Sequence, residues 1–431
     1  MHLFGLVLME IYPPELDHLG DKVFITSRFI CQGKENKLWF KFDKEFSKYA
    51  VLENSDAFLV ALLPLAMQAR ESIKLHHPLS EGIYYNVTEY LIPLVHRCIP
   101  DAHEVEVIPS GFRGASASSS QRVVATGLSC GIDSFFTIAE HSRPSMPEGR
   151  RITHCVFTDT GSHGESGSEV EKKLFEGRLE NSRKCATELG LKIVLIESNL
   201  SELLPWDYMM THNLRNPAAV LALEKLFSIF YYSAGGSFED LSDPDGELPN
   251  YDPIVLSYLS TDGLRFVSSG FQFKRTEKTE IVSSYEPSYR YLNVCTKEAT
   301  NCSVCNKCLR TELTLDLLGK IELYGRVFDL EKYRKEKVRY LGKVKATERS
   351  DFFSRDILEL MRNKGKRMGF ASNYYALSYR MKSGLREGRS GTMERLSERK
   401  RDFVAMAKSS GAYRTSRTVR KVVALLERPF P

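Results

Sequence analysis

The chain has 431 residues, of which 42% are hydrophobic and 27% charged, enough apolar material for a large core and a balance that excludes disordered and fibrous classes. Its net charge of +5 averages two unlike parts, because residues 332–431 hold 27 Lys and Arg against 10 Asp and Glu while the remainder holds 33 against 45. The longest apolar stretch, residues 57–67 with Pro64 inside it, falls well short of the roughly 18 residues a membrane span needs, so no membrane partner is expected.

The opening run MHLFGLVLMEIYPP has no basic start and no small-residue cleavage site, which argues against a secretory signal and for the cytoplasm. Residues 22–31 and 37–42 alternate apolar and polar and predict half-buried strands. Residues 56–69 and 83–96 carry helical apolar spacing, and 104–108 reads as a last strand, giving an N-terminal α+β unit over 1–115. The Gly-, Ser- and Ala-rich stretch 110–121 predicts a linker. From 121 the pattern changes. Strands at 123–126, 154–158, 193–196 and 228–233 alternate with helices at 134–140, 170–189 and 217–226. Asn216 is expected to cap the last of these, with Pro217 at its first position and His212 and Asn213 in the loop before it. This order predicts an α/β domain over 121–320, a parallel sheet covered by helices, with ligands beyond the C-terminal strand ends. Residues 332–431 predict a basic helical extension with helices at 351–364, 372–385, 393–409 and 417–427. Its apolar positions are Tyr374, Tyr375, Leu377, Phe403, Val404, Val422, Val423 and Leu425.

Ser-Cys-Gly-Ile-Asp-Ser, residues 129–134, follows the strand at 123–126 and opens a helix. Backbone N–H groups in such a turn suit a phosphate, and Ser129 and Ser134 add hydroxyl donors. Gly131 permits close backbone approach. Asp133 suits Mg2+ or a bond that fixes the loop. The same residues would also serve as an ordinary helix cap. Cys130 is either a thiol activated by the helix N-terminus or simply a small side chain.

Cys295, Cys302, Cys305 and Cys308 form C-x6-C-x2-C-x2-C. Four thiolates converging on one ion suit Zn2+ and leave no open position, so the expected site is structural; an iron–sulfur cluster is the rival.

The loop at 129–134 resembles the SGGxDS loop of the PP-loop ATP pyrophosphatases, with Cys130 where the first Gly is usual. Together with the downstream cysteines it resembles the 7-cyano-7-deazaguanine synthase family. The resemblance covers about residues 121–320. It implies an adenine nucleotide alpha hydrolase-like (HUP-type) core, with ATP, Mg2+ and Zn2+ as cofactors. It also implies adenylation of a deazapurine-like carboxylate with release of pyrophosphate, then attack by ammonia or an amine to give an amide or nitrile. On that model Ser129, Cys130, Gly131, Asp133 and Ser134 hold the nucleotide. Asp159 ends the strand that carries the adenine. Arg215 and Asn216, in Leu-Arg-Asn-Pro, contact nucleotide or substrate. Arg275 and Lys278 balance charge on the leaving pyrophosphate or the carboxylate. Arg310 neutralises the cysteine cluster or caps local carbonyls. Relatives of this kind also include anti-phage defence components, which would join a deazaguanine-like group to a partner protein, and tRNA-modifying enzymes. The basic extension fits nucleic acid, an acidic protein surface or solvated helix faces, with nucleic acid the less favoured.

Overall fold

A computed structural model of the chain describes residues 8–113, 122–163, 168–242 and 246–386, together with Val404 and Lys408. Part of the predicted linker, and the predicted helices at 393–409 and 417–427 apart from those two positions, lie outside the described residues. The chain divides into two compact units, Met1–Asn293 and Val294–Pro431. That differs from the three predicted segments, because the N-terminal and α/β strands share one sheet.

The N-terminal strands of the first unit are β1 (Leu8–Ile11), β2 (Glu15–Leu19), β3 (Lys22–Cys31), β4 (Lys34–Asp43), β5 (Ser72–Leu75), β6 (Leu79–Ser80), β7 (Val107–Ile108) and β8 (Phe112–Arg113). Strict alternation makes β3 a half-buried strand, with Val23, Ile25 and Phe29 turned inward and Arg28 outward. Helix α1 (Asp56–Ala69) is the predicted one. The second predicted helix is realised as α2 (Glu81–Asn86) and α3 (Ile92–Cys98), joined by a π-turn over Val87–Leu91.

The α/β half supplies β9 (Val123–Gly127), β10 (His154–Asp159), β11 (Lys192–Ser198), β12 (Phe227–Ser233) and β13 (Arg265–Ser269). These five pair in parallel in the spatial order β13-β12-β9-β10-β11. Counted along the chain, that is the 3-2-1-4-5 order of a doubly wound sheet. The sequence had not marked β13, whose five residues Arg-Phe-Val-Ser-Ser carry too short an alternation to stand out. Beyond β11 the sheet continues through β4, β3, β1, β5 and β7, while β2 pairs with β3, and β6 and β8 form a separate ribbon. The antiparallel β11–β4 seam is reinforced by side chains: Trp39 N donates to Asn199 Oδ1 (3.1 Å), and Ser198 Oγ donates to the Trp39 carbonyl (2.8 Å).

The crossing helices of this half are α4 (Ile132–His141), α5 (Glu169–Glu188), α6 (Leu200–Leu203), α7 (Tyr208–Leu221), α8 (Asp252–Tyr258), α9 (Arg275–Val282) and α10 (Ser288–Tyr291). Contacts sort most of them into two groups: α4 with α9 and α5 with α10, against α7 with α1 and α8. Two layers are what right-handed crossovers on a sheet of this order produce. Neighbouring strand residues serve opposite layers. Val156, Val194 and Ile196 belong to the main core with α1 and α7, while Phe157 and Leu195 pack with Leu179 of α5. Each such fully buried side chain is worth about 1.5–3 kcal/mol relative to exposure.

The predicted start at Asn216 and Pro217 needs correction. Helix α7 begins nine residues earlier, where Asp207 Oδ1 caps Met209 N (2.6 Å). Pro217 lies inside the helix, and His212, Asn213 and Asn216 are helical rather than loop residues. Packing against α1 and the sheet outweighs the local proline signal.

In the second unit, α11 (Asn306–Leu317), α12 (Leu330–Thr347), α13 (Phe352–Asn363) and α14 (Phe370–Arg386) pack together. The sequence had predicted counterparts of α13 and α14 but not α12, whose dense Lys and Arg mask its apolar stripe of Tyr333, Tyr340, Leu341 and Val344. Among the described residues, no helix is long and apolar enough to cross a membrane.

Candidate active site and metal centre

The loop at residues 128–131 joins β9, the first strand of the parallel set, to α4. In a 3-2-1-4-5 sheet the strand order reverses between β9 and β12, and the crevice at their C-terminal ends is where ligands bind. The loop is internally braced. Gly131 N donates to Ser129 Oγ (3.2 Å), and Ser134 Oγ donates to the Gly131 carbonyl (3.1 Å). Asn293 N donates to the Cys130 carbonyl (2.8 Å). Gly131 is the N-cap residue of α4, and no side chain caps that end. The first-turn amides therefore look towards the crevice without an internal acceptor, a arrangement suited to an anion.

Cys130 has φ +57°, a left-handed backbone that L-residues adopt at a cost of roughly 1 kcal/mol or more and that glycine adopts freely. Its thiol is fully buried and lies 3.7 Å from Ser182 Oγ, with Cys185 also a hydrogen-bond neighbour. The side chain therefore faces α5, while the backbone shapes the turn.

Long-range packing of α9 on α4 delivers two cations to this loop. Arg275 and Lys278 stand three apart, on one face of α9. Arg275 Nη1 pairs with Asp133 Oδ2. Lys278 Nζ lies 3.8 Å from Asp133 Oδ1, and it donates to the carbonyls of Ala234 (2.8 Å) and Gly236 (3.0 Å), just past β12. Its side chain is 0% exposed, and burial lowers its pKa, opposed by the charge of Asp133. Asp133 Oδ1 is buried without a hydrogen-bond partner. The turn that carries α9 here needs Gly270, whose φ is +87° and where a Cβ would meet Phe136 at 2.8 Å.

Other predicted residues do different work. Arg215 is buried, and its guanidinium is committed within the chain, to Thr211 Oγ1 (2.8 Å), the Thr160 carbonyl (3.2 Å) and the Trp206 carbonyl. It holds the segment after β10 rather than offering a free fork. Asn216 Oδ1 accepts from Thr158 Oγ1 (3.1 Å) and Thr160 Oγ1 (2.8 Å), tying α7 to the end of β10. Asp159 closes β10 opposite Glu197, and burial, then Glu171 and Glu197, raises its pKa to about 6. Sequence reading had missed Asp252 at the start of α8. It is 1% exposed, and burial raises its pKa to about 7. An isolated Asp in Asn-Tyr-Asp-Pro gives no local sign of that.

In the second unit the four predicted cysteines come together. Their sulfurs all lie within 4.8 Å of one another, with Cys295–Cys305 at 3.9 Å and Cys302–Cys308 at 4.0 Å. A tetrahedral zinc with bonds of about 2.3 Å spaces its sulfurs at about 3.8 Å, so the set fits one zinc ion. Backbone amides support the sulfurs: Cys305 N donates to Cys302 Sγ (3.3 Å), and Cys308 N to Cys305 Sγ (3.4 Å). Ser303, at φ +56°, makes the first of these turns, and Cys305 is the N-cap of α11. Arg310 lies with its guanidinium 3.6 Å over the Phe353 ring. Among the described residues, some of the basic charge of this unit is paired within it, as in Lys337–Asp316, Arg334–Glu322 and Arg362–Glu348. Four protein thiolates would complete the shell of a zinc ion held here, leaving no position for substrate. Compared with protein-family models, curated proteins and solved structures, the chain matches none.

Proposed function

We propose that the chain is an ATP-dependent, carbon–nitrogen bond-forming ligase of the PP-loop, HUP-type kind. The observation behind this proposal is the convergence of Arg275 and Lys278 on Asp133, in the loop at the switch point of a doubly wound sheet. The α4 amides and the two serine hydroxyls would grip the pyrophosphate end of ATP. Asp133, whose Oδ1 has no hydrogen-bond partner, would hold Mg2+, which supplies charge neutralisation on the phosphates. Arg275, released from Asp133, would follow the charge that develops on the leaving pyrophosphate, and Lys278 would keep the loop after β12 in register.

The substrate carboxylate needs no general base, since its oxygen is already nucleophilic at neutral pH. It attacks the α-phosphorus, the α–β anhydride bond breaks, and pyrophosphate leaves. Ammonia or an amine then attacks the acyl carbon, AMP departs and the amide remains, with one proton released. The family resemblance points to a deazapurine-like carboxylate. Sulfur transfer of the tRNA-modifying kind is not favoured, because Cys130, the cysteine of the loop, is fully buried.

Product analysis tests the proposal. ATP supplied with a deazapurine carboxylate and ammonia should yield AMP and pyrophosphate, and neither without the carboxylate. ADP and orthophosphate as products would rule out adenylation.

A further inference from the structure

The outer edge of β13 is a surface that the crevice does not use. β13 ends the sheet, with β12 on one side and no strand on the other among the described residues. Phe266 N donates to Ser260 Oγ (3.0 Å), so the main chain of Phe266 faces away from β12. That direction alternates along a strand, so the Phe266 carbonyl and the N–H and carbonyl of Ser268 also point outward. Among the described residues nothing pairs with these three groups, which leaves a short open ladder. Beside it lies a cavity of about 550 Å3, a size usual for ligand sites. Arg265, Phe266, Val267 and Ser268 line it in succession, from both faces of the strand, so it runs along the edge. The Ser268 hydroxyl is buried there without a hydrogen-bond partner, a state that calls for a ligand or an ordered water. Asp262 and Arg265, at the same end of the cavity, are exposed, and neither forms a salt bridge among the described residues. Pro253 and Ser257 of α8 form the far wall. The positions after them on α8, Ile254 and Tyr258, carry the surface on into an aromatic patch. Tyr258 stacks on Tyr90 of the π-turn with centroids 4.9 Å apart, and Tyr90 meets Tyr85 of α2 edge-on at 5.7 Å. Tyr85 is 55% exposed, Tyr90 41% and Ile254 37%. Clustered exposed tyrosines beside an open strand edge have the make-up of a protein interface core.

We propose that the β13 edge docks an extended strand from a partner protein. The complement of an acceptor, a donor and a second acceptor spaced along a strand edge is the main chain of another strand, so backbone bonds supply the affinity. Asp262 and Arg265 fit a basic and an acidic side chain on that strand, and this charge match sets its register. Ser268 Oγ takes the partner's nearest polar group, and the tyrosines cover its apolar flank. The inference stands apart from the ligase proposal, since it uses no residue of the loop at 128–131.

Hexapeptides enriched from a random display library on the full chain are the probe, with binding measured by calorimetry. N-methylation of successive peptide nitrogens should weaken binding about 10-fold at alternate positions and little at those between, the period-two mark of strand addition. Ser268→Pro removes the outward N–H and leaves the β12 ladder in place, so it should weaken binding about 10-fold or more. Tyr258→Ala should cost about 5- to 30-fold. A library that yields no binder overturns the proposal, and so does binding that lacks the alternation or ignores Ser268→Pro. Light scattering of the wild-type chain supplies a further check. Self-association that Ser268→Pro abolishes would make a second copy the occupant and overturn the proposal of a separate partner. Should Ser268→Pro fail to give a wild-type melting transition, the methylation pattern on the wild-type chain decides.

Discussion

The cysteine centre and the phosphate-type loop are built in opposite ways. All four sulfurs come from fourteen consecutive positions, and the x2 spacings nearly dictate their convergence. The loop, by contrast, acquires Arg275 from 142 residues downstream, and only after a fifth parallel strand has turned at Gly270. A metal ion needs ligands and little else, so short-range geometry suffices. Charge stabilisation needs groups fixed by the whole sheet, because a mobile cation in water is worth far less than one held in place.

Substitutions can break that contrast, and the largest effect belongs to the local site. Cys305→Ser should release the metal and abolish cooperative melting of the second unit, since structural zinc contributes about 10–16 kcal/mol to folding in small domains. Metal content by mass spectrometry and a visible spectrum check this together, and retention of the metal with a normal melting transition would show that the sulfurs are not its cage. Asp133→Asn should do the converse, lowering pyrophosphate release about 100- to 1000-fold while the melting temperature barely moves. Lys278→Met sits between the two. It strips the donor from the Ala234 and Gly236 carbonyls, so we expect a loss of about 1–3 kcal/mol in denaturant unfolding together with weaker activity.

A smaller effect is a pH dependence. Burial raises the Asp252 carboxyl to about 7, so the folded chain keeps a proton that the unfolded chain has released. That contribution is present at low pH and is lost as pH rises through the folded value. Between about pH 6 and about pH 8, wild type should lose on the order of 1 kcal/mol relative to Asp252→Asn in urea titrations. Parallel titrations for the two proteins would remove Asp252 from this role. Smallest of all is Cys130→Gly. Relief of the left-handed strain is offset by the lost thiol contact and by the looser unfolded chain, so stability should stay within about 1 kcal/mol and turnover should persist. An inactive variant that still binds ATP would give the Cys130 thiol a chemical part.

Legibility followed range. The alternation of β3 and the spacing of α1 appear in the structure at their predicted bounds, because each is a local pattern with one face on the core. The α7 start was misread because a proline and an asparagine together imitate a helix beginning, while the real cap, Asp207, stands nine residues earlier and Asn216 spends its amide on Thr158 and Thr160. Arg215 looked like an anion ligand, but its guanidinium answers the Thr160 and Trp206 carbonyls. Nothing local to either residue announces those partners.

By itself, then, the sequence determined a parallel α/β half, a four-cysteine cluster that fits a metal ion and a strand–loop–helix turn suited to an anion. These depend on periodicity and spacing, which are properties of short stretches. Tertiary structure alone decided that the N-terminal strands extend the same sheet, that Arg275 and Lys278 meet Asp133, and that Asp252 is buried against Asn213. Each of those depends on which distant segments exclude water from one another, and a linear pattern does not record that.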